Sequence, residues 1–144
     1  MSDSETNAGG AASATTEVTL RRLGELRRAL LRLHKTLLDA ERALYESMHG
    51  RVTSGELLQL VIADAHFAWL HAVSELIVRI DELFDAEEPA TGADADALFT
   101  EARALLKSDE AGGEFGRRYF AALQREPDAV LAHRQVTRLL SASA

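Results

Sequence analysis

The sequence predicts an all-α fold, a helical bundle with two long antiparallel helices at about residues 18–48 and 54–84, followed by two or three shorter helices. Apolar residues recur three and four positions apart over long stretches, which is the spacing of an amphipathic helix. No segment shows the apolar and polar alternation that is typical of a half-buried strand. The chain has two prolines, Pro89 and Pro127, and both follow the long helices.

The first long helix is predicted from a seam of apolar side chains. Its members are Leu23, Leu26, Leu30, Leu33, Leu37, Ala40 and Leu44. The opposite face carries charged residues, so we expect the apolar side to pack inside the bundle. Gly50 ends the helix, because glycine readily adopts the left-handed backbone that closes a helix C-terminus.

The second long helix is predicted to begin at Thr53, which stands three residues before Glu56 in the spacing of a capping box. The residues from 57 to 83 are apolar almost all round the helix. Such a helix lies at the centre of its domain or is shared between two chains. Because few other helices are available to surround it, the sequence predicts a homodimer through this helix.

The shorter helices are predicted from helix-breaking and helix-capping residues in the remainder of the sequence. Pro89 breaks the helical pattern and marks a loop, and Thr91 or Asp94 can cap the helix that follows it. Pro127 suits the first turn of a short C-terminal helix, where its missing N–H is not needed.

Length and composition indicate one soluble domain. The chain has 144 residues, 47% of them hydrophobic and 27% charged. We predict a disordered tail over residues 1–17, which are rich in Ser, Thr, Ala and Gly, and a single domain over residues 18–141. The absence of cysteine fits a cytoplasmic protein. Charged and polar residues interrupt the apolar stretch 57–83, so we predict no membrane partner.

Charge is unevenly distributed along the chain. Residues 21–35 hold six basic residues and one acid, whereas residues 81–114 hold eleven acids and two bases. These runs predict solvated faces that can attract one another within the fold or across a dimer. The alternative is an acidic surface for a basic partner. The net charge of −7 argues against nucleic acid as the main partner.

Two polar residues of the first helix are predicted to point into the bundle. On a helical wheel His34 and Glu41 lie near the middle of the apolar arc, with Tyr45 slightly to one side. A buried carboxylate must be paired, hydrogen-bonded, neutral or metal-bound. We therefore predict a buried polar cluster of His34, Glu41 and Tyr45. It is either a structural network, with Glu41 bonded to an arginine, to His34 or to the Tyr45 hydroxyl, or the lining of a ligand pocket.

A metal site is the alternative interpretation of the same residues. His66 lies near the edge of the apolar face of the second helix, and His133 lies among apolar residues near the C-terminus. With His34 and Glu41 they would supply three imidazoles and one carboxylate, which suit non-haem iron or zinc. Bundle di-iron proteins use two Glu-x-x-His pairs, whereas this chain offers one, Glu46-x-x-His49, at the end of the first helix and on its outer side. The sequence therefore leaves the cofactor open, with iron or zinc as candidates.

No catalytic motif is present. The chain has neither a glycine-rich phosphate loop nor a Gly-x-Ser-x-Gly elbow. The predicted function is a dimeric binding or interaction module with a buried polar cluster around His34 and Glu41. The alternative is a metal-binding bundle or a metal-dependent enzyme, so the sequence leaves enzymatic activity open.

Two segments resemble a family of small uncharacterised bacterial all-helical proteins. They are LRLHKTLLDAERALYE (31–46) and LLQLVIADAHFAWLHAVSELIVRIDELF (57–84). The family pattern is matched at His34, Asp39, Glu41, Tyr45, Phe67, Trp69, Leu70, Ser74 and Asp81. The family more often has tryptophan at the position of His66 and arginine at that of His71. The resemblance implies a helical fold and no particular activity, and it favours His34, Glu41 and Tyr45 as the shared site.

Overall fold

The computed structural model describes residues 2–107 and 113–142, with side chains from residue 14 to residue 141 within those ranges. It confirms the all-α fold, and the described residues contain no strand. The helices are α1 (Ser2–His49), α2 (Ser54–Ala63), α3 (His71–Asp85), α4 (Gly92–Leu105), α5 (Glu114–Arg125) and α6 (Pro127–Ala142), with a 3₁₀ turn at Ala68–Leu70.

Helix α1 begins earlier than the sequence predicts. The expected disordered tail covers residues 1–17, whereas the structure is helical from Ser2. Alanine, the strongest helix former, is frequent in this segment, and extending an existing helix needs no new nucleation. The Thr16 hydroxyl lies beside Gly92 at the start of α4, 3.6 Å from where a Cβ would stand. The early turns of α1 therefore reach the rest of the bundle.

The predicted second long helix is divided in the structure, which corrects the expectation of one helix over 54–84. Helix α2 ends at Asp64, whose backbone is extended (φ −90°, ψ 135°). The Asp64 carboxylate accepts a hydrogen bond of 2.8 Å from the backbone N–H of His66. Aspartate favours such local turns because its short side chain competes with the helical hydrogen bonds. Helical structure resumes at Ala68, and the segment Ala68–Asp85 makes an angle of 77° with α2.

The core lies between α1 and the helices α3, α4 and α6, while α5 packs on α6 and on the 3₁₀ turn. The predicted seam supplies much of it: Leu23, Leu26, Leu30, Leu33 and Leu37 are fully buried and Ala40 is buried, whereas Leu44 is exposed. Helix α3 contributes Val73, Leu76, Ile77 and Ile80. Helix α2 has no buried residue. The bend at Asp64 therefore separates a core helix from a surface helix.

Two of the predicted helix starts are capped. The Thr53 hydroxyl accepts from the Glu56 backbone N–H at 3.2 Å, as its spacing predicts. Thr91 caps α4, and the Asp94 carboxylate completes the capping box by accepting from the Thr91 backbone N–H. Both caps follow from local sequence, so these boundaries could be predicted without tertiary contacts.

Among the described residues, no single helix is both long enough and apolar enough to cross a membrane. Helix α2 together with the segment Ala68–Asp85 passes the same test of length and composition as a bent pair.

Glycine substitutions test the helix boundary after α1. Gly50 has φ 87°, so Gly50→Ala should lower the free energy of unfolding by about 1 kcal/mol through backbone strain. Gly24 lies inside α1 and a Cβ there would meet nothing within 4 Å. Gly24→Ala should therefore raise the stability by about 0.5–1 kcal/mol. Urea unfolding measures both, and equal effects of the two substitutions would contradict the assigned boundary.

Candidate functional site

The buried polar cluster is built around Glu41 on α1. Glu41 is 3% exposed and is the one charged residue that is buried among those described. It follows Ala40 on the inner face of α1, where the helical wheel places it. Its carboxylate faces two cationic or polar partners from distant parts of the chain.

Arg125 and His66 hold the Glu41 carboxylate from two sides. Arg125 Nη2, from the last turn of α5, donates to Glu41 Oε1 at 2.5 Å. His66 Nε2, from the turn after α2, lies 2.8 Å from Oε2 and 3.1 Å from the Glu41 backbone carbonyl. Because both neighbours of Nε2 are acceptors, Nε2 carries the hydrogen and donates.

The cluster joins three segments that are distant in sequence. Glu41 lies on α1, His66 in the bend between α2 and the 3₁₀ turn, and Arg125 at the end of α5. The Glu41 side chain is 5% exposed and that of Arg125 34% exposed, so the pair lies at the edge of the core. Removing one partner of such a pair leaves the other charge without compensation. The geometry is therefore that of a structural clamp.

Sequence reasoning anticipated an arginine as one possible partner of Glu41 but did not identify Arg125. The residue stands next to Glu126, where α5 ends, 84 positions from Glu41. Its position in the last turn of a helix is where basic residues are common, and no local pattern indicates its partner. Only the packing of α5 brings the two charges together.

His34 does not join the Glu41 cluster, which corrects the expected grouping. It is half-buried, and its Nε2 lies 3.0 Å from the Ser74 hydroxyl of α3. Burial lowers the pKa of His34, and the nearby His71 lowers it further. His34 and Ser74 thus form a separate polar contact between α1 and α3.

Tyr45 borders the cluster through its ring. It is half-buried, stacks on His49 with ring centroids 4.2 Å apart, and lies 5.8 Å from His66 and 5.7 Å from Phe67. The Tyr45 and Phe67 rings both contact the His66 ring and so support its position. A groove of about 460 Å³ opens beside Tyr45, between the end of α1 and α2. Its walls are Tyr45, Val52, Glu56, Gln59, Leu60, Ala63 and Asp64.

His133 contacts Tyr119 elsewhere in the fold. Tyr119 is fully buried, and burial raises the pKa of its hydroxyl, which therefore stays protonated. The hydroxyl oxygen lies 2.6 Å from His133 Nδ1, within hydrogen-bond distance. Burial also lowers the pKa of His133. This pair links α5 to α6.

The four residues of the metal interpretation are distributed over separate contacts. His34 meets Ser74, Glu41 meets His66, and His133 meets Tyr119. Within residues 2–107 and 113–142, no group of three or more His, Asp or Glu side chains is arranged to hold a metal ion. Of the four predicted ligands, the structure brings Glu41 and His66 into contact with each other, whereas His34 and His133 contact other residues.

Comparisons with known proteins give no assignment. No family model, no curated protein sequence and no solved structure matches the chain. The function is therefore inferred from the contacts, burial and charges of the described residues.

Glu41→Gln tests the clamp. We expect it to lower the free energy of unfolding by about 3 kcal/mol, the lower end for a buried pair, because Arg125 is partly exposed. Asp39→Asn is the matched control, since Asp39 pairs with Lys35 on the solvent face and should contribute less than about 0.5 kcal/mol. Urea unfolding measures both changes. If Glu41→Gln left the free energy of unfolding unchanged, the clamp would be contradicted.

The lowered pKa of His34 predicts a pH dependence of stability. The unfolded chain protonates this histidine near pH 6.5, whereas the folded chain resists protonation until a lower pH. The unfolded chain therefore binds more protons in that window, and stability falls as the pH drops below about 6.5. His34→Gln should flatten part of this slope in urea unfolding at several pH values.

His49→Gln is the control for this measurement. His49 is exposed at the end of α1, so its replacement should leave the slope unchanged. If His34→Gln retained the full slope as well, the contribution of His34 would be disproved.

Proposed function

We propose that this chain is a homodimeric interaction module whose contact surface is formed by α2. The observation that carries the proposal is that α2, with five of its ten residues Leu, Val or Ile, has no buried residue. Large apolar side chains left at a surface commonly mark a contact with another molecule. No catalytic constellation in the described residues offers a competing activity of comparable support.

The exposed residues of α2 form one ridge. Leu58 is 59% exposed and Ile62 is 63% exposed, and they stand one helical turn apart. Met48, at the end of α1, is 66% exposed. Glu56 is the only charged residue of α2, so little charge has to be desolvated when the ridge is covered.

Helix α2 is held in place although it is not buried. Arg42 Nη2 donates to the Val52 carbonyl at 2.7 Å, and the Glu46 carboxylate accepts from the Val52 N–H at 2.8 Å. At the other end, His71 Nε2 lies 2.7 Å from the Val61 carbonyl. An ordered contact helix loses less conformational entropy on binding than a flexible one does. These contacts support the proposal that α2 is a preorganised binding surface.

A second copy of the chain is the partner that we infer. In a dimer with a two-fold axis, the apolar ridge of one chain covers the same ridge of the other. Because α2 carries almost no charge, this contact brings few like charges together. Ten helical residues span about 15 Å, so the contact is small and the dimer should dissociate on dilution. In this proposal the Glu41 clamp has a supporting role, because His66 fixes the chain where α2 ends.

Two further parts of the proposal concern where the protein acts. We infer a bacterial cytoplasmic protein of the helical family that its segments 31–46 and 57–84 resemble. The absence of cysteine supports the reducing compartment.

The dimer is tested with the double variant Leu58→Glu, Ile62→Glu. Sedimentation velocity over a concentration series should show a reversible dimer for the natural chain and a monomer for the variant, because two buried carboxylates would oppose each other across the axis.

Leu131→Glu is the matched control. Leu131 is 59% exposed, as Leu58 is, but it lies on α6. This variant should dimerise as the natural chain does. A natural chain that stays monomeric at high micromolar concentration would reject self-association, and loss of the dimer in both variants would reject α2 as its surface.

A further inference from the structure

A basic groove runs between α1 and α6, and its described lining residues all belong to these two helices. Arg28 and Arg32 line it from α1, and Arg138 lines it from α6. The groove has a volume of about 290 Å³. Arg134 precedes Arg138 by one helical turn and is also exposed, so it extends the basic surface along α6. We call these four arginines with the space between them the basic groove.

Several arginines outside the groove form ion pairs with carboxylates. Arg27 pairs with Asp81, Arg42 with Glu46, Arg79 with Glu101 and Arg125 with Glu41. In contrast, Arg28 donates to the Gly24 carbonyl at 3.4 Å, and Arg32 donates to the Gln135 side chain at 2.9 Å. Among the described residues no carboxylate forms an ion pair with any arginine of the groove. This is unexpected on a chain whose net charge is −7.

The arrangement places like charges close together. Arg28 and Arg32 are four residues apart on α1, and Arg134 and Arg138 are four apart on α6, so each pair is mutually repulsive. Glu25 is the only acid among the described residues that line the groove. An ordinary solvated face mixes charges of both signs, as α1 does at Lys35 and Asp39. The unpaired stripe therefore points to an anionic partner.

We propose that the basic groove binds an acidic segment of a partner protein. The planar guanidinium group donates two parallel hydrogen bonds to one carboxylate, so arginines on both walls can hold successive Asp or Glu side chains. Ala29 and Leu139 add an apolar part to the lining, which suits aliphatic side chains between the acids. The proposal is independent of the α2 dimer, which uses another surface.

A peptide fits this groove better than a nucleic acid. Among the described residues, the lining holds no aromatic side chain on which a base could stack. The chain carries a net charge of −7 in spite of these arginines, so a long polyanion that extends past the groove meets a net acidic protein. A short acidic segment avoids both problems because it contacts only the four arginines.

Fluorescence anisotropy with a labelled octaglutamate peptide tests the proposal at low salt. The natural chain should bind it saturably, and Arg28→Gln with Arg138→Gln should weaken binding by about tenfold. The control is Arg51→Gln with Arg118→Gln, which removes the same charge from exposed arginines outside the groove and should change binding less than about twofold. Circular dichroism confirms that both variants are folded.

Three results would overturn the proposal. They are an absence of saturable binding by the natural chain, equal weakening in the two double variants, and tighter binding of labelled octathymidylate than of octaglutamate. Undiminished peptide binding by Leu58→Glu, Ile62→Glu is the further result that we expect, because the groove lies apart from α2.

Discussion

The Glu41 carboxylate is the constraint on which much of the structure depends. Glu41 is 3% exposed and its charge needs partners, which are His66 from the bend after α2 and Arg125 from the end of α5. Satisfying it fixes the end of α5 and the bend after α2 against the same turn of α1. The hydrophobic interaction of the core leucines stabilises the packing of the helices but is not directional. This ionic contact decides which helix ends meet.

The bend at Asp64 determines how the apolar sequence is used. In one straight helix, residues 57–83 would have to be covered on every side by the few other helices of the chain. The Asp64 turn instead sends α3 into the core and leaves α2 on the surface, anchored at both ends by side-chain bonds to the backbone. The apolar character that suggested a shared helix is thereby concentrated in ten residues. The proposed dimer is correspondingly smaller than a contact along the whole segment.

Several arginines meet carboxylates of neighbouring helices, whereas those of the basic groove do not, and the difference has a geometric origin. Arg27 of α1 meets Asp81 of α3, and Arg79 of α3 meets Glu101 of α4. Those on the outer sides of α1 and α6 face each other, because the two helices that pack together are both basic on that side. The described acids of α3 and α4 lie on other elements, where Asp81 pairs with Arg27 of the basic run 21–35. The uneven charge of the sequence thus persists as an uneven surface.

The sequence by itself determined the helical class, the seam of α1, the caps at Thr53 and Thr91 and the burial of Glu41, since helical periodicity and capping act over a few residues. The tertiary structure decided what Glu41 meets. His34, two turns away on the same face, contacts Ser74 instead, and Arg125 arrives from 84 residues along the chain. It also decided that residues 54–84 form two helices, because the turn at Asp64 is stabilised when His66 reaches α1. A wheel gives the direction of a side chain, whereas its partner depends on how distant segments pack.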